Sequence, residues 1–281
     1  MIVKNMPGGG TLVAGNFVYS SEPDGLTIIH TNFGATFISP VIFEDPAVEF
    51  DILKVNYIGS MLAPPNVMAI GSANDYMNLE DLKKAKGLKF AAVQPAAMGT
   101  IAAALVSEFF GFEDTKIISG YAGSSAQHLA LGRGETDAFV TPASSYNIAL
   151  SKGFVKSPPV MVFGTERSPY FPDVPLFSEL LDLTPEQQAL VDITNVLSYA
   201  DMIEAGPPGI PEDRLKFMRE KFLEINALPA FQRITKNIWP VWVEPKTAEE
   251  IEAIQKMTAS VAPEEVAKLK ELTEKYISII K

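Results

Sequence analysis

Residues 89–125 read KFAAVQPAAMGTIAAALVSEFFGFEDTKIISGYAGSS, and the alternation of apolar runs and turn residues in this stretch predicts the fold class. The runs at 89–93 and 116–119 predict two buried strands. Between them, apolar residues recur at four-residue spacing over 100–110, which predicts a helix. A strand, a helix and a second strand in this order favour a parallel sheet with a right-handed crossover.

The N-terminal part of the chain shows the same alternation. Residues 2–5 predict the end of a strand, 11–19 a helix and 26–31 a buried strand, which together predict a βαβ unit with a parallel sheet. Further strands are predicted at 66–72 and 137–141, so the middle of the chain is expected to hold a second sheet.

The last part of the chain is predicted to be mostly helical. A short strand is predicted at 241–243, and amphipathic helices follow at 248–261 and 263–280. At 281 residues, the chain is long enough for about two domains. We therefore expect an α/β protein with two lobes.

Composition excludes several classes of function. The net charge is −11 at neutral pH, which argues against binding to nucleic acid or to an anionic membrane surface. Cysteine is absent, so disulfides and thiolate chemistry are excluded. His30 and His128 are far apart in sequence, which makes a metal site improbable. The sequence predicts neither a metal nor a cofactor.

Three predicted strand-to-helix loops are rich in glycine or small hydroxyl residues. They lie at residues 8–11, 98–100 and 121–125. A helix N-terminus has unpaired N–H groups and a partial positive charge, and glycine allows a ligand to approach that backbone. Each loop taken singly is also compatible with a plain turn or helix cap. Together they favour a site for a carboxylate or a phosphate.

Catalysis has weak support. Ser124 and His128 are one helical turn apart, so a nucleophile pair is conceivable there. No G-x-S-x-G motif surrounds Ser124, and a histidine packed at the edge of the core is the simpler interpretation.

A series of short motifs resembles a known family. Residues 5–10 and 22–28 resemble the N-x-P-G-A-G-G and P-D-G-Y-T-L signatures of the substrate-binding proteins of tripartite tricarboxylate transporters, the TctC or Bug family. The motifs extend over most of the chain: 5–10 (NMPGGG), 22–28 (EPDGLTI), 120–126 (GYAGSSA), 131–137 (LGRGETD), 167–175 (RSPYFPDVP) and 206–211 (GPPGIP).

The resemblance implies a two-lobed, type II periplasmic-binding-protein fold with a hinge of crossing strands and a ligand cleft between the lobes. Residues 1–68 and 204–281 would form the first lobe, and residues 69–203 would form the inserted lobe. The crossings are expected near 66–72 and 200–206.

The resemblance also implies a function. The chain would be a periplasmic or extracytoplasmic receptor that captures a small organic carboxylate and delivers it to the membrane permease subunits of the transporter. It would be a monomer, not an enzyme. Carried over by motif, the ligand-binding residues are Gly8, Gly9, Gly10, Thr11, Asn32, Phe33, Gly34, Met98, Gly99, Thr100, Tyr121, Gly123 and Ser124.

The chain departs from the family pattern at several positions. Family members normally have a further strand and a glycine-rich loop before the position of Asn5, and no signal peptide is visible at residues 1–5. Thr11 replaces a glycine and residues 97–100 (AMGT) replace G-x-G-S, so we expect a bulkier, more apolar pocket than one for a citrate-like ligand. Two alternatives stay open: an enzyme or cytosolic sensor on the same scaffold, with Ser124 as the nucleophile, or a remnant that binds no ligand.

Overall fold

The computed structural model describes residues 1–62, 64–197, 201–238 and 245–279. The strands in these ranges are β1 (Ile29–Asn32), β2 (Asn56–Leu62), β3 (Asn66–Ile70), β4 (Lys89–Ala92), β5 (Lys116–Ser119), β6 (Ala138–Pro142), β7 (Met161–Phe163), β8 (Met202–Gly206), β9 (Lys246–Thr247) and β10 (Ile277–Ile279). The α-helices are α1 (Leu12–Tyr19), α2 (Ser39–Ile42), α3 (Leu79–Lys84), α4 (Met98–Phe109), α5 (Ser124–Gly132), α6 (Ala143–Ser151), α7 (Pro185–Leu197), α8 (Glu212–Ala227), α9 (Pro229–Ile238), α10 (Ala248–Ala259) and α11 (Pro263–Tyr276). A π-helical turn at Gly34–Ile38 leads into α2. The strand predicted at 241–243 lies outside the described residues.

The chain divides into two units, and neither is continuous in sequence. The first contains Met1–Pro64 and Tyr199–Val261, and the second contains Pro65–Ser198 and Ala262–Lys281. The family resemblance implies that the whole C-terminal segment belongs to the first lobe, whereas residues 262–281 belong to the second unit. The reason is that β10 pairs in parallel with β5 and α11 packs against α4.

The sheet of the first unit has the order β1-β8-β2-β9, and every neighbouring pair in it is antiparallel. The prediction of a parallel βαβ unit at the N-terminus is therefore wrong. Residues 2–5 are exposed and form no strand, because no strand of the described residues lies beside them to complete a ladder. β1 instead pairs with β8, which enters after the inserted segment and runs in the opposite direction, with Ile29 opposite Ala205.

Aromatic side chains form the core on one face of this sheet. The rings of Phe33 and Tyr57 meet edge to face at 5.5 Å, and those of Phe37 and Phe50 do so at 5.1 Å. This arrangement aligns ring edges with the electron-rich ring faces and adds to the gain from burial. The core anchors the helical turn that follows β1, which holds the end of that strand in place.

The sheet of the second unit has the order β10-β5-β4-β6-β3-β7. Its first four strands are mutually parallel, whereas β3 is antiparallel to both of its neighbours. The predicted strands at 89–93, 116–119 and 137–141 are confirmed as β4, β5 and β6. The helix predicted at 263–280 ends earlier, at Tyr276, because the backbone becomes extended at Ile277 and the last residues pair with β5.

Helix α4 is the central helix of the second unit. Its residues from Thr100 to Ser107 are all buried, as expected for a helix that is apolar on every side and covered by neighbours. It packs against β6, α7 and α11. Within the described ranges, no helix is both long enough and apolar enough to cross a membrane.

Candidate functional site

The first unit holds two of the predicted ligand-binding loops, and the first of them precedes α1. Gly8, Gly9 and Gly10 all have positive φ, and the Thr11 N–H closes the turn on the Gly8 carbonyl at 3.0 Å. Positive φ favours glycine, which explains the run of three. Helix α1 begins here with no side-chain cap and no acidic residue in its first turn. The Leu12 N–H at this helix start already donates to the Gly9 carbonyl, so it is not available to an anion.

Three threonine hydroxyls connect this loop to the segment around β1. The Thr36 hydroxyl lies 2.7 Å from that of Thr11 and 2.7 Å from that of Thr31. Thr36 is fully buried. Thr11 has a φ of 85°, in the left-handed region, where a residue with a Cβ is strained by about 1–2 kcal/mol. The hydroxyl chain holds Thr11 in this conformation beside the second loop.

The second loop, residues 32–34, is held mainly by internal bonds. The Asn32 amide donates to the carboxylate of Asp201, and its oxygen accepts from the Ala35 N–H at 2.7 Å. The Phe33 N–H donates to the Asp201 carbonyl at 2.7 Å, and its ring lies in the core. Gly34 is also buried. The structure thus brings Asn32, Phe33 and Gly34 beside the first loop, but the side chains of Asn32 and Phe33 are already engaged.

Two acids lie on β8 or just before it, Asp201 buried and Glu204 partly buried. Burial raises the pKa of Asp201 to about 6, and the hydrogen bond from Asn32 offsets part of that shift. Burial also raises the pKa of Glu204. The Glu204 carboxylate lies 2.8 Å from His30 Nδ1, and this contact raises the pKa of His30. His30 is engaged with Glu204, so this group of side chains offers an anion little positive charge.

In the second unit, the predicted loops meet at one edge of the sheet. β4, β5 and β6 are parallel, so the loops that follow them leave from the same edge. Helices α4 and α5 begin at this edge with no side-chain cap and no acidic residue in the first turn. By contrast, Asn78 caps α3 and Thr247 caps α10, and both of those helices carry acids in their first turn.

The start of α4 packs directly on the sheet. A Cβ on Gly99 would lie 2.2 Å from the carbonyl oxygen of Val140, so only glycine fits there. The Thr100 hydroxyl is buried and donates to the Gln94 carbonyl at 2.6 Å. Met98 is half-buried. Gly99 and Thr100 therefore shape this helix start, and what they offer a ligand is backbone.

The start of α5 is more open. Gly123 has a φ of 142° and no neighbour within 4 Å of an added Cβ. Ser124 is exposed and Tyr121 is half-buried, where burial raises the pKa of the Tyr121 phenol. These two side chains present hydroxyl groups beside the uncapped helix start.

Sequence reasoning missed a third helix start at this edge. β6 runs directly into α6, which also lacks a side-chain cap and first-turn acids. The Ala143 N–H is already bonded to the Pro65 carbonyl at 2.9 Å. The available signal was the hydroxyl-rich segment 141–145 (TPASS) directly after the third parallel strand, which resembles the segment after β5.

His128 pairs with a different serine from the one considered as a nucleophile. Its Nε2 lies 2.9 Å from the hydroxyl of Ser145, not of Ser124. Burial lowers the pKa of His128 to about 4, so the ring is neutral at pH 7. Its Nδ1 is buried with no partner among the described residues, so no acid orients the ring as in a catalytic triad. The described residues also contain no cluster of side chains that would hold a metal.

Residues 1–263 match the sequence model of one protein family, described as the tripartite tricarboxylate transporter family receptor, TctC. The chain belongs to this family. TctC proteins are solute-binding receptors and not enzymes, so the predicted resemblance and the expectation of a non-enzyme are both confirmed.

Individual relatives of the TctC chain are distant. A protein of Bordetella bronchiseptica described as a UPF0065 protein is 22% identical over 235 residues, which cover 82% of this chain but only 64% of that protein. The match therefore spans less than two thirds of the length of that relative.

Solved structures confirm the predicted fold class. The periplasmic binding protein BugD is 18% identical with a TM-score of 0.67, and the match covers 99% of this chain and 88% of BugD. MatC from Rhodopseudomonas palustris, solved with bound malate, is 18% identical with a TM-score of 0.65, covering 96% of this chain and 86% of MatC. At this identity, the likeness shows the periplasmic-binding-protein fold.

Proposed function

We propose that this TctC protein captures a small organic carboxylate and delivers it to the membrane permease of a tripartite tricarboxylate transporter. The observation that carries the proposal is the set of helix starts at the predicted loops. Helices α1, α4 and α5 each begin without a side-chain cap and without an acidic residue in the first turn. Unpaired N–H groups at a helix start bind carboxylates without the need for an arginine.

The nature of the loops narrows the class of ligand. Ser124 and Tyr121 offer hydroxyl groups, whereas Met98 and the methyl group of Thr11 add apolar surface. A small dicarboxylate with a short carbon chain suits this combination better than a highly charged tricarboxylate, because the donors are neutral. The malate bound to MatC belongs to this chemical class. The family resemblance predicts that loops of both units bind one ligand. Ser124→Asp tests the loop of the second unit, and variants of Asp201 test a loop of the first unit.

The direct test is calorimetry and thermal unfolding with a panel of succinate, malate, glutarate, adipate and citrate, with succinamide as the uncharged control. A ligand at 100 times its dissociation constant stabilises the folded protein by about 2.7 kcal/mol, which raises the unfolding temperature by about 5 °C or more. We expect at least one dicarboxylate to bind and succinamide not to bind. If no acid of the panel shifts the unfolding temperature at millimolar concentration, the proposal is wrong.

A charge-insertion variant tests the helix start itself. Ser124→Asp places a carboxylate at the first residue of α5, where a bound anion would be repelled. Two like charges about 5 Å apart repel by about 1–3 kcal/mol near a protein surface, so we expect the ligand found with the panel to bind about tenfold more weakly. Thr184→Asp is the matched control, because Thr184 is also an exposed hydroxyl residue before a helix of the same unit. Equal weakening by both variants would contradict the proposed site.

Delivery, compartment and oligomeric state are part of the same proposal. We expect the protein to fractionate with periplasmic proteins, to run as a monomer on a sizing column with light scattering, and to support uptake only when the permease subunits are co-expressed. Uptake that is unchanged after deletion of the gene for this receptor would exclude the transport role.

A further inference from the structure

Asp201 contacts the loop at residues 32–34 in two ways. It lies directly before β8 and is only 8% exposed. Its carboxylate accepts a hydrogen bond from the Asn32 amide, and its main-chain carbonyl accepts one from the Phe33 N–H at 2.7 Å. One residue therefore holds the loop by a side-chain contact and a main-chain contact at adjacent positions.

The side-chain contact extends through Asn32 into the loop. With its amide nitrogen bound to Asp201, Asn32 directs its oxygen to the Ala35 N–H at 2.7 Å. This second bond satisfies a donor at the beginning of the helical turn Gly34–Ile38. The order of the turn thus depends on the rotamer of Asn32, and that rotamer depends on Asp201.

Glu204, a partly buried acid on β8, has no such role. Its carboxylate lies 2.8 Å from His30 Nδ1, and neither residue belongs to the loop. The two acids are three positions apart, and both carboxylates contact side chains of β1. Asp201 is buried, whereas the Glu204 side chain is 18% exposed. Their difference in partners makes Glu204 a matched reference for Asp201.

We propose that Asp201 is a positioning residue for ligand binding, which orders residues 32–34 through Asn32 and Phe33 before a carboxylate arrives. This inference rests on the proposed function for its ligand, but not for the order of the loop. Burial of an ionised carboxylate destabilises the folded state, which is why the pKa of Asp201 is raised. Buried acids with strongly shifted pKa values are frequent at functional sites. Pre-ordering increases affinity, because the apparent affinity is proportional to the fraction of molecules in which the loop already has its binding conformation.

The test compares four variants in the full chain: Asp201→Ala, Asp201→Asn, Glu204→Ala and Glu204→Gln. Hydrogen exchange of the amides at 33–36 reports the order of the loop without any ligand. Calorimetry with malate as the probe reports its effect on affinity. We expect Asp201→Ala to speed exchange at Ala35 and to weaken malate binding, each by about tenfold, the effect of losing about 1.4 kcal/mol of hydrogen bonding.

Asp201→Asn retains an oxygen that accepts from Asn32, so we expect exchange and affinity within about twofold of the parent protein. Both Glu204 variants are expected to leave the exchange at 33–36 unchanged. A general loss of packing would also appear in Glu204→Ala. If Asp201→Ala does not fold, Asp201→Leu fills about the same space without an acceptor for Asn32 and is expected to give the same exchange result.

Each outcome is decisive. Unchanged exchange in Asp201→Ala, or equal acceleration in Glu204→Ala, overturns the positioning role. Faster exchange together with unchanged malate affinity limits Asp201 to a structural role and also overturns the proposal. If malate and the rest of the acid panel fail to bind the parent protein, the proposed function fails, and the role of Asp201 in binding fails with it, while the exchange data still show whether Asp201 orders the loop.

Discussion

The buried carboxyl group of Asp201 predicts an unusual dependence of stability on pH. Its pKa is about 6 in the folded protein and about 3.9 in an unfolded chain, a difference of about two units. Each unit corresponds to about 1.4 kcal/mol, so the ionised group costs the folded state about 3 kcal/mol at pH 8. Between pH 6 and pH 4 the folded state binds more protons than the unfolded state. This contribution therefore makes the protein more stable as the pH falls through that window.

The substitution Asp201→Asn removes this titration while it retains an acceptor for Asn32. We expect the free energy of unfolding of the variant to exceed that of the parent protein at pH 8, and the difference to shrink by about 2.4 kcal/mol by pH 4. Urea unfolding followed by circular dichroism at half-unit pH steps measures both curves. Subtraction cancels the groups that the two proteins share, and Glu204→Gln supplies a second curve for the neighbouring acid. Parallel curves for the parent protein and Asp201→Asn would refute the reasoning.

Two further predictions concern packing and the hydroxyl chain. Gly99→Ala places a Cβ 2.2 Å from the Val140 carbonyl oxygen, so we expect the free energy of unfolding measured in urea to fall by about 1–3 kcal/mol. The control is Gly164→Ala, whose added Cβ has only ordinary contacts, and we expect it to lose less than about 0.5 kcal/mol. Equal losses in the two variants would contradict the close approach at Gly99. Thr36→Val leaves the hydroxyls of Thr11 and Thr31 without their shared partner, so we expect the free energy of unfolding to fall by about 1–3 kcal/mol. The control is Thr273→Val, which breaks one hydrogen bond within a helix, and we expect it to lose less. Equal losses would show that Thr36 contributes no more than an ordinary buried threonine.

The sequence predicted local elements well where one segment carries the whole signal. The apolar spacing at 100–110 and the β-branched run at 116–119 determine α4 and β5 regardless of what surrounds them. The prediction failed where pairing partners are distant in sequence. Nothing near residues 26–31 shows that β8, at 202–206, is the partner of β1 or that the pairing is antiparallel. The strand β10 was missed for the same reason, because Ile277–Ile279 continues the apolar periodicity of α11.

The sequence predicted which loops form the candidate site, but not which contacts the individual side chains of those loops make. Glycine and hydroxyl residues after apolar runs located the starts of α1, α4 and α5. No sequence pattern showed that Thr100 bonds inward to Gln94. The contact of Asp201 could not be predicted either, because a single acid before a strand has no recognisable pattern and reaches Asn32 only in the folded protein.

The interleaving of the two units has a consequence for biosynthesis. β1 and β2 do not pair with each other; both pair with β8, at Met202–Gly206. A ribosome that adds about 5–20 residues per second needs about 7–28 s to proceed from the end of β2 to β8. During that interval the nascent first sheet lacks the strand that lies between β1 and β2, and the second sheet is completed later still, by β10. A chaperone or a translocation machine that acts on unfolded polypeptide therefore has a defined window in which to engage this chain.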